Sequence, residues 1–383
     1  MNIIYQNILK TALSSIDIKD KVNFVKQYWS AVDENILFNY AVKDEVASHV
    51  ASILKVGDFS YNSCWDVEYE KVENTINVLM SVLDDVASVL RKHSIEIVAL
   101  KNAGITRALY SNYACSPMGD LDLLVRVKDF RFAHKVILDE LGFTFKFRSE
   151  FENEDIEEAF RGGGSEYFKF VDGIKVWLEL QWRPIAGRWI QPHNEPDGLS
   201  LMNNSITVKH SAVRILAPED NLLQVALHTA KHSYVRAPGF RLHSDVDRVV
   251  RFQKINWQKF EEKVCKLELR TAVYFSLFFS KELLETPIPI DILNKLKPIW
   301  YRGLIIKYFI NKADIFDQTK PKFSKLGYII FNLALYDTLS ENFKAFFPPI
   351  DSLKIKYPIK TKWQLPYYYT LRFKDLLLKR AKL

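Results

Sequence analysis

One peptide, Met118-Gly119-Asp120-Leu121-Asp122-Leu123-Leu124-Val125, limits what this chain can fold into more than any other. Its apolar, short character predicts a β-strand, and strand side chains alternate between two faces. Leu121, Leu123 and Val125 then point into a core. Asp120 and Asp122 share the opposite face, about 7 Å apart along the backbone. The chain must therefore build a sheet with one packed face and one face that carries charge.

The segments around this peptide supply the rest of such a sheet. Residues 95–100 form a short β-branched run, read as a buried strand. A helix is expected over 103–110, a second strand over 120–127, and a helix over 130–141 that stops at Gly142. Residues 143–147 read as another strand. Residues 167–171 and 175–180 flank Asp172-Gly173, the strongest hairpin signal in the sequence. Helical spacing dominates residues 1–90, where Ile8, Leu9, Leu13 and Ile16 recur, as do Ile76, Leu79, Met80, Leu83 and Val86. Residues 56–62 read as a loop between these runs. After Pro218 helices are expected over 219–234, 244–254, 257–266 and 269–282, with a break at 286–291 and more helix from Leu293. Residues 347–383 are rich in Pro, Tyr and Lys and end in a basic helix. The fold class is α+β, with a small mixed sheet flanked by helical regions. The expected division is 1–90 helical, 91–210 sheet core, 211–346 helical domain and 347–383 basic aromatic tail.

Composition removes several alternatives. The 383 residues are 48% hydrophobic and 26% charged, with only 13 Gly and 14 Pro, which excludes wholesale disorder and collagen-like fibres. No uncharged apolar run reaches 18 residues, so a membrane-spanning helix is not expected, and no membrane partner is expected either. Residues 1–10 lack the basic and apolar regions of a signal peptide. Cys64, Cys115 and Cys265 form no CxxC pair, which points away from zinc ribbons and disulfide frameworks and toward a reducing cytoplasm. The net charge of +7 is compatible with an anionic ligand.

Two like charges side by side on a strand repel, and a divalent cation between them reverses the balance. The alternative is a strand end carrying two solvated aspartates. Glu179 is the single acid of the apolar run Val176-Trp177-Leu178-Glu179-Leu180, where a charge is costly unless paired or metal-bound. If that strand lies beside the Asp120 strand, three carboxylates converge, enough for two magnesium ions and in-line phosphoryl or nucleotidyl transfer. A solvent-facing Glu179 is the competing reading. Leu100-Lys101-Asn102-Ala103-Gly104 joins a strand to a helix N-terminus, where backbone N–H groups and the Lys101 ammonium suit phosphate. An ordinary strand-to-helix loop with an exposed lysine is the alternative.

These stretches, with Ala108-Leu109-Tyr110 and Leu178-Glu179-Leu180-Gln181-Trp182, resemble the uncharacterised nucleotidyltransferase family of the DNA polymerase β-like superfamily, over roughly residues 90–250. His228-Thr229-Ala230-Lys231-His232, followed by Arg241 and Asp245, resembles the family's helical stretch. Three departures stand out. Asn102 replaces the glycine after the lysine, Ser116 lies where an arginine is common, and Gln181 replaces a histidine. The resemblance implies transfer of a nucleoside monophosphate from an NTP, ATP first among them, to a hydroxyl-bearing small molecule, peptide or protein, with release of pyrophosphate. It implies Mg2+ or Mn2+ on Asp120, Asp122 and Glu179, with Glu179 also taking the acceptor proton. Lys101 and the N–H groups near Asn102 would hold phosphate, and Lys231 would face the triphosphate. The rival readings are a catalytically degenerate nucleotide-binding protein on this fold and a nucleotidyltransferase directed at nucleic acid, an acceptor less expected than a small molecule or peptide.

Other signals carry less. His228 and His232 share a helical face, but Thr229 stands where a zinc protease needs glutamate. Arg161-Gly162-Gly163-Gly164-Ser165 lacks G-K-[ST] and reads as a turn. Trp363, Tyr367, Tyr368 and Tyr369 interleave with lysines, a pattern that binds single-stranded nucleic acid or packs on the helices with its charges turned outward.

Overall fold

The structure, a computed structural model, describes residues 2–146, 156–184, 190, 192–233, 239–316, 323–350, 353–354 and 357–378. Five helices precede the sheet: α1 (Ile3–Leu13), α2 (Ile18–Tyr28), α3 (Glu34–Lys43), α4 (Ala47–Val56) and α5 (Cys64–Lys92). Asn2, Asp17 and Asp33 cap α1, α2 and α3 by accepting first-turn N–H groups. The loop expected over 56–62 separates α4 from α5.

The strands are β1 (Val98–Leu100), β2 (Asp120–Leu124), β3 (Thr144–Lys146), β4 (Gly164–Val171), β5 (Ile174–Gln181), β6 (Ile206–Thr207) and β7 (Arg214–Ile215). They form one mixed sheet in the order β3-β4-β5-β2-β1-β7-β6. β2 runs parallel to β5 and β1 parallel to β7; the other neighbours are antiparallel. Helices α6 (Lys101–Leu109), α7 (Phe130–Asp139), α8 (Ile156–Gly162) and α9 (Gly198–Asn204) lie between strands in sequence.

Alternation along β2 and β5 decides which face is which. Leu121, Leu123, Leu178 and Leu180 are buried in one cluster with Leu79, Leu83 and Val86 of α5 and Ala133, Val136 and Ile137 of α7. Each buried leucine contributes roughly 1.5–3 kcal/mol. A one-residue slip of β2 would turn Asp120 and Asp122 into that cluster, so burial fixes the register. Val98, Leu100 and Leu124 occupy the other face, where Leu201 and Met202 of α9 and Leu216 cover them.

Helices α10 (Pro218–His232), α11 (His243–Phe252), α12 (Trp257–Lys266), α13 (Arg270–Leu284), α14 (Ile290–Leu296), α15 (Trp300–Ala313) and α16 (Lys325–Ala334) share a second core. α17 (Leu339–Phe346) and α18 (Leu365–Leu378) follow. The first helices pack against this part, since Phe240 and Leu284 join their core. The Ser15 N–H donates to Asp247 at 2.6 Å, and Arg241 pairs with Glu45 at 3.0 Å.

Several boundaries differ from the sequence reading. The 95–100 strand contracts to β1, although Ile95 and Ile97 remain buried in the same core. α6 begins at Lys101, two residues before the expected start. The glycine run ends α8 at Gly162, turns at Gly163 with φ +96°, and opens β4 at Gly164. Asp172 and Gly173 adopt positive φ and close a two-residue hairpin. Phe147, Tyr234, Lys356, Lys379, Arg380 and Lys382, all within expected elements, lie outside the described residues. Among the described residues no helix is long and apolar enough to cross a membrane, and the three cysteines are free thiols.

Gly104 shows how tightly α6 seats on β1. A Cβ there would lie 2.5 Å from the Ala99 carbonyl oxygen. Gly104→Ala therefore destabilises the protein by about 1–3 kcal/mol in urea unfolding. Gly303→Ala in α15 meets nothing within 4 Å and is expected to be neutral or stabilising by up to about 1 kcal/mol.

Candidate active site

β5 lies directly beside β2, with Asp120 paired to Trp177 and Asp122 to Glu179. Parity then gives Asp120, Asp122, Trp177, Glu179 and Gln181 one common face. Asp122 is 3% exposed, whereas Asp120 and Glu179 are half-buried. The latter two line a cleft of about 260 Å³ together with Gly119, Glu166, Trp177 and Leu178.

Asp122 is held by two donors. The Lys101 ammonium lies 2.7 Å from its Oδ1, and the Gln181 amide donates to the same oxygen at 2.7 Å. The same amide nitrogen donates to Glu179 Oε2 at 2.9 Å, so one small donor joins the Asp122 and Glu179 carboxylates. Among the described residues no three carboxylate, imidazole or thiol groups are arranged to hold one metal ion. An ammonium and an amide sit among the acids. The donor chemistry still suits a hard cation, because Asp120, Asp122 and Glu179 offer only oxygen.

Lys101 reaches Asp122 because α6 starts at the end of β1, and Leu100 pairs with Asp122 in the sheet. Burial alone would depress its ammonium. The charges of Asp122 and Glu179, the hydrogen bond to Asp122 and the charge of Asp120 outweigh burial and raise its pKa above the ordinary 10.5. Its backbone is strained, with φ +49°. A left-handed non-glycine residue costs about 1–2 kcal/mol. Gln224 of α10 holds that conformation, since its side-chain oxygen accepts the Lys101 N–H at 3.1 Å while its amide donates to the Pro184 carbonyl. The N-cap residue Leu100 makes no side-chain hydrogen bond to the first turn of α6, whose N–H groups include that of Asn102.

Lys231 lies in the last turn of α10. Its charge and that of Lys101 both act on His228, which burial and then Lys101, His232, Lys231 and Arg241 push well below the usual histidine range. The His228 and His232 rings meet at 4.9 Å. Asp245 is buried at the start of α11, and burial, opposed by Arg241, pushes its carboxyl up to about 6.

Four contributors escaped the sequence reading of the site. Gln181, a departure from the family pattern in sequence, bridges two carboxylates. Glu166 pairs with Glu179 across the hairpin, and the two-residue turn at Asp172-Gly173 fixes that register from sequence alone. Trp177 forms a wall of the cleft, its ring approached by the ammonium groups of Lys146 at 4.9 Å and Lys175 at 4.1 Å. Gln224 has one sequence signal: it is the single polar residue of the apolar run 222–227.

Comparison with known proteins shows the family of the chain. The profile of a family described as uncharacterised nucleotidyltransferase matches residues 31–285. The chain belongs to this family. Nucleotidyl transfer is accordingly its general activity, on a nucleotide substrate. A crystal structure of an antigenic nucleotidyltransferase-like protein from Paracoccidioides brasiliensis is similar at 14% identity, over 57% of this chain and 92% of that one, with a TM-score of 0.35. Among curated proteins none matches.

The ion pair makes a stability prediction for this nucleotidyltransferase. Lys101→Met leaves a buried carboxylate without its ammonium and costs about 3 kcal/mol or more near neutral pH. The folded-state pKa of Lys101 is raised, so its contribution is complete below the ordinary value of 10.5 and is lost as pH climbs through the raised value. Urea unfolding of both proteins from neutral to strongly alkaline pH should show the gap narrowing only at the alkaline end.

Proposed function

We propose that this nucleotidyltransferase moves a nucleoside monophosphate from an NTP, with ATP the first candidate, to a hydroxyl on a small molecule, peptide or protein, and releases pyrophosphate. The observation that carries the reading is the shared face of Asp120, Asp122 and Glu179, with the Lys101 ammonium bound among them. Asp120, Asp122 and Glu179 would hold Mg2+ or Mn2+, which when bound neutralises phosphate charge and orients the reacting oxygens.

The protein groups divide the remaining work. Glu179 opens onto the cleft and accepts the proton of the acceptor hydroxyl as the oxygen attacks the α-phosphorus. The first-turn N–H groups of α6 at Asn102 and the Lys101 ammonium bind phosphate oxygens. Lys101 now neutralises Asp122, so incoming phosphate competes with Asp122 for the same ammonium. Lys231, whose charge converges with that of Lys101 on His228, compensates the β- and γ-phosphates. No side chain forms a covalent intermediate; positioning and charge neutralisation lower the barrier.

Calorimetry with Mg2+ and a non-hydrolysable NTP should show metal-dependent binding that Asp120→Ala and Asp122→Ala abolish. Mass spectrometry of candidate acceptors incubated with the four NTPs should reveal an added nucleotide mass, and Glu179→Gln should lower that turnover by roughly 10²–10⁴-fold. Unchanged metal-dependent binding in both aspartate variants contradicts the reading.

A further inference from the structure

Charge and apolar exposure are both unevenly distributed along this chain. Residues 290–383 hold eighteen Lys and Arg against seven Asp and Glu, a surplus of eleven. The whole chain has a surplus of only seven, so residues 1–289 are net acidic by four. The same basic segment exposes large apolar side chains in lines. On α15, Trp300, Leu304 and Tyr308 are 76%, 61% and 61% exposed and fall at i, i+4 and i+8, which puts them on one helical face. Lys297 and Lys312, both exposed, flank that line.

The pattern recurs on the last helices. Leu339 and Phe343 are exposed at i and i+4 along α17, and Phe347, just past its end, is 48% exposed. Trp363, in the turn before α18, and Tyr367, in its first turn, are 94% and 64% exposed, with Lys360, Lys362 and Lys374 exposed around them. α17 and α18 are joined by Phe347 against Tyr369 at 5.7 Å and Phe346 against Phe373 at 6.0 Å. Tyr369 also donates to the Pro348 carbonyl at 2.7 Å. Tyr357, buried, packs against Tyr368 at 5.6 Å, whereas Trp363 and Tyr367 face outward.

Three occupants suit exposed apolar side chains: a second copy, a nucleic acid or a lipid surface. A symmetric contact between two copies would bring two net positive surfaces together, which repel. Nucleic acid would use the aromatic rings and lysines but gains nothing from aliphatic Leu304 and Leu339. Aliphatic side chains, Trp and Tyr rings, and lysines together match the boundary of an anionic bilayer, where apolar groups enter the acyl edge, aromatic rings sit at headgroup level and ammonium groups meet phosphate. We propose that α15, α17 and α18 dock this protein on the surface of an anionic lipid bilayer. The attachment is peripheral, because no described helix is long and apolar enough to cross. The net acidic remainder of the chain is repelled from the same surface, which orients the molecule with its C-terminal helices inward.

The full chain can be sedimented with vesicles of phosphatidylcholine alone and with phosphatidylglycerol mixed in. Partition is expected only with the anionic lipid, and added salt should weaken it. Replacing Lys297, Lys312, Lys362 and Lys374 by Gln should lower the partition coefficient by roughly fivefold per lysine. The triple change Trp300→Ser, Leu304→Ser and Tyr308→Ser should lower it at least as far. All seven side chains are exposed, so circular dichroism should report an unchanged fold. Absence of partition at low salt, or partition indifferent to both variants, overturns the proposal. So does tight binding of single-stranded RNA without vesicle association, or a concentration-dependent dimer that the triple change dissociates while vesicles recover no protein.

Discussion

Asp122 sits buried in the middle of a sheet face, and an ionised carboxylate there must find donors or a cation. The chain supplies one ammonium and one amide, from Lys101 and Gln181, both at 2.7 Å. Much of the surrounding architecture follows from delivering those two groups. Gln181 arrives because β5 runs parallel to β2 in a register that is itself set by leucines on the opposite face. Lys101 arrives because β1 ends beside Asp122 and the chain turns at once into α6.

Delivering Lys101 in this way has a cost that other residues offset. Its left-handed backbone is held by Gln224, which belongs to α10 and also grips the segment after β5. The sheet and the helices that follow it are therefore linked at the same residue that neutralises the site. Gly104, one turn later, lets α6 lie against β1 with no room for a methyl group. Strain of this kind, stored beside a cluster of charges, is characteristic of groups that change partners during function.

The local rules of strands and turns made the sheet's charged face legible. The alternation of Asp120 to Val125 separated acids from core, and Asp172-Gly173 fixed a hairpin whose register also contains Glu166 opposite Glu179. The adjacency of β2 and β5 was a condition in the sequence reading, because parallel pairing joins residues about sixty positions apart and has no local signature. The Lys101–Asp122 pair was hidden for the same reason: both residues had been assigned separate ligands. β6, β7 and α9 escaped because two-residue strands and a single short helix leave no periodicity to detect. The start of α6 moved to Lys101, whose positive φ its side chain does not advertise.

In the free protein Lys101 serves as the cation of Asp122, and the proposed chemistry requires nucleotide binding to reassign it. A crystal structure with Mg2+ and a non-hydrolysable NTP tests this directly. The account predicts the Lys101 ammonium on a phosphate oxygen and the ion held among Asp120, Asp122 and Glu179. An intact Lys101–Asp122 pair, with the nucleotide bound away from Glu179, would contradict it.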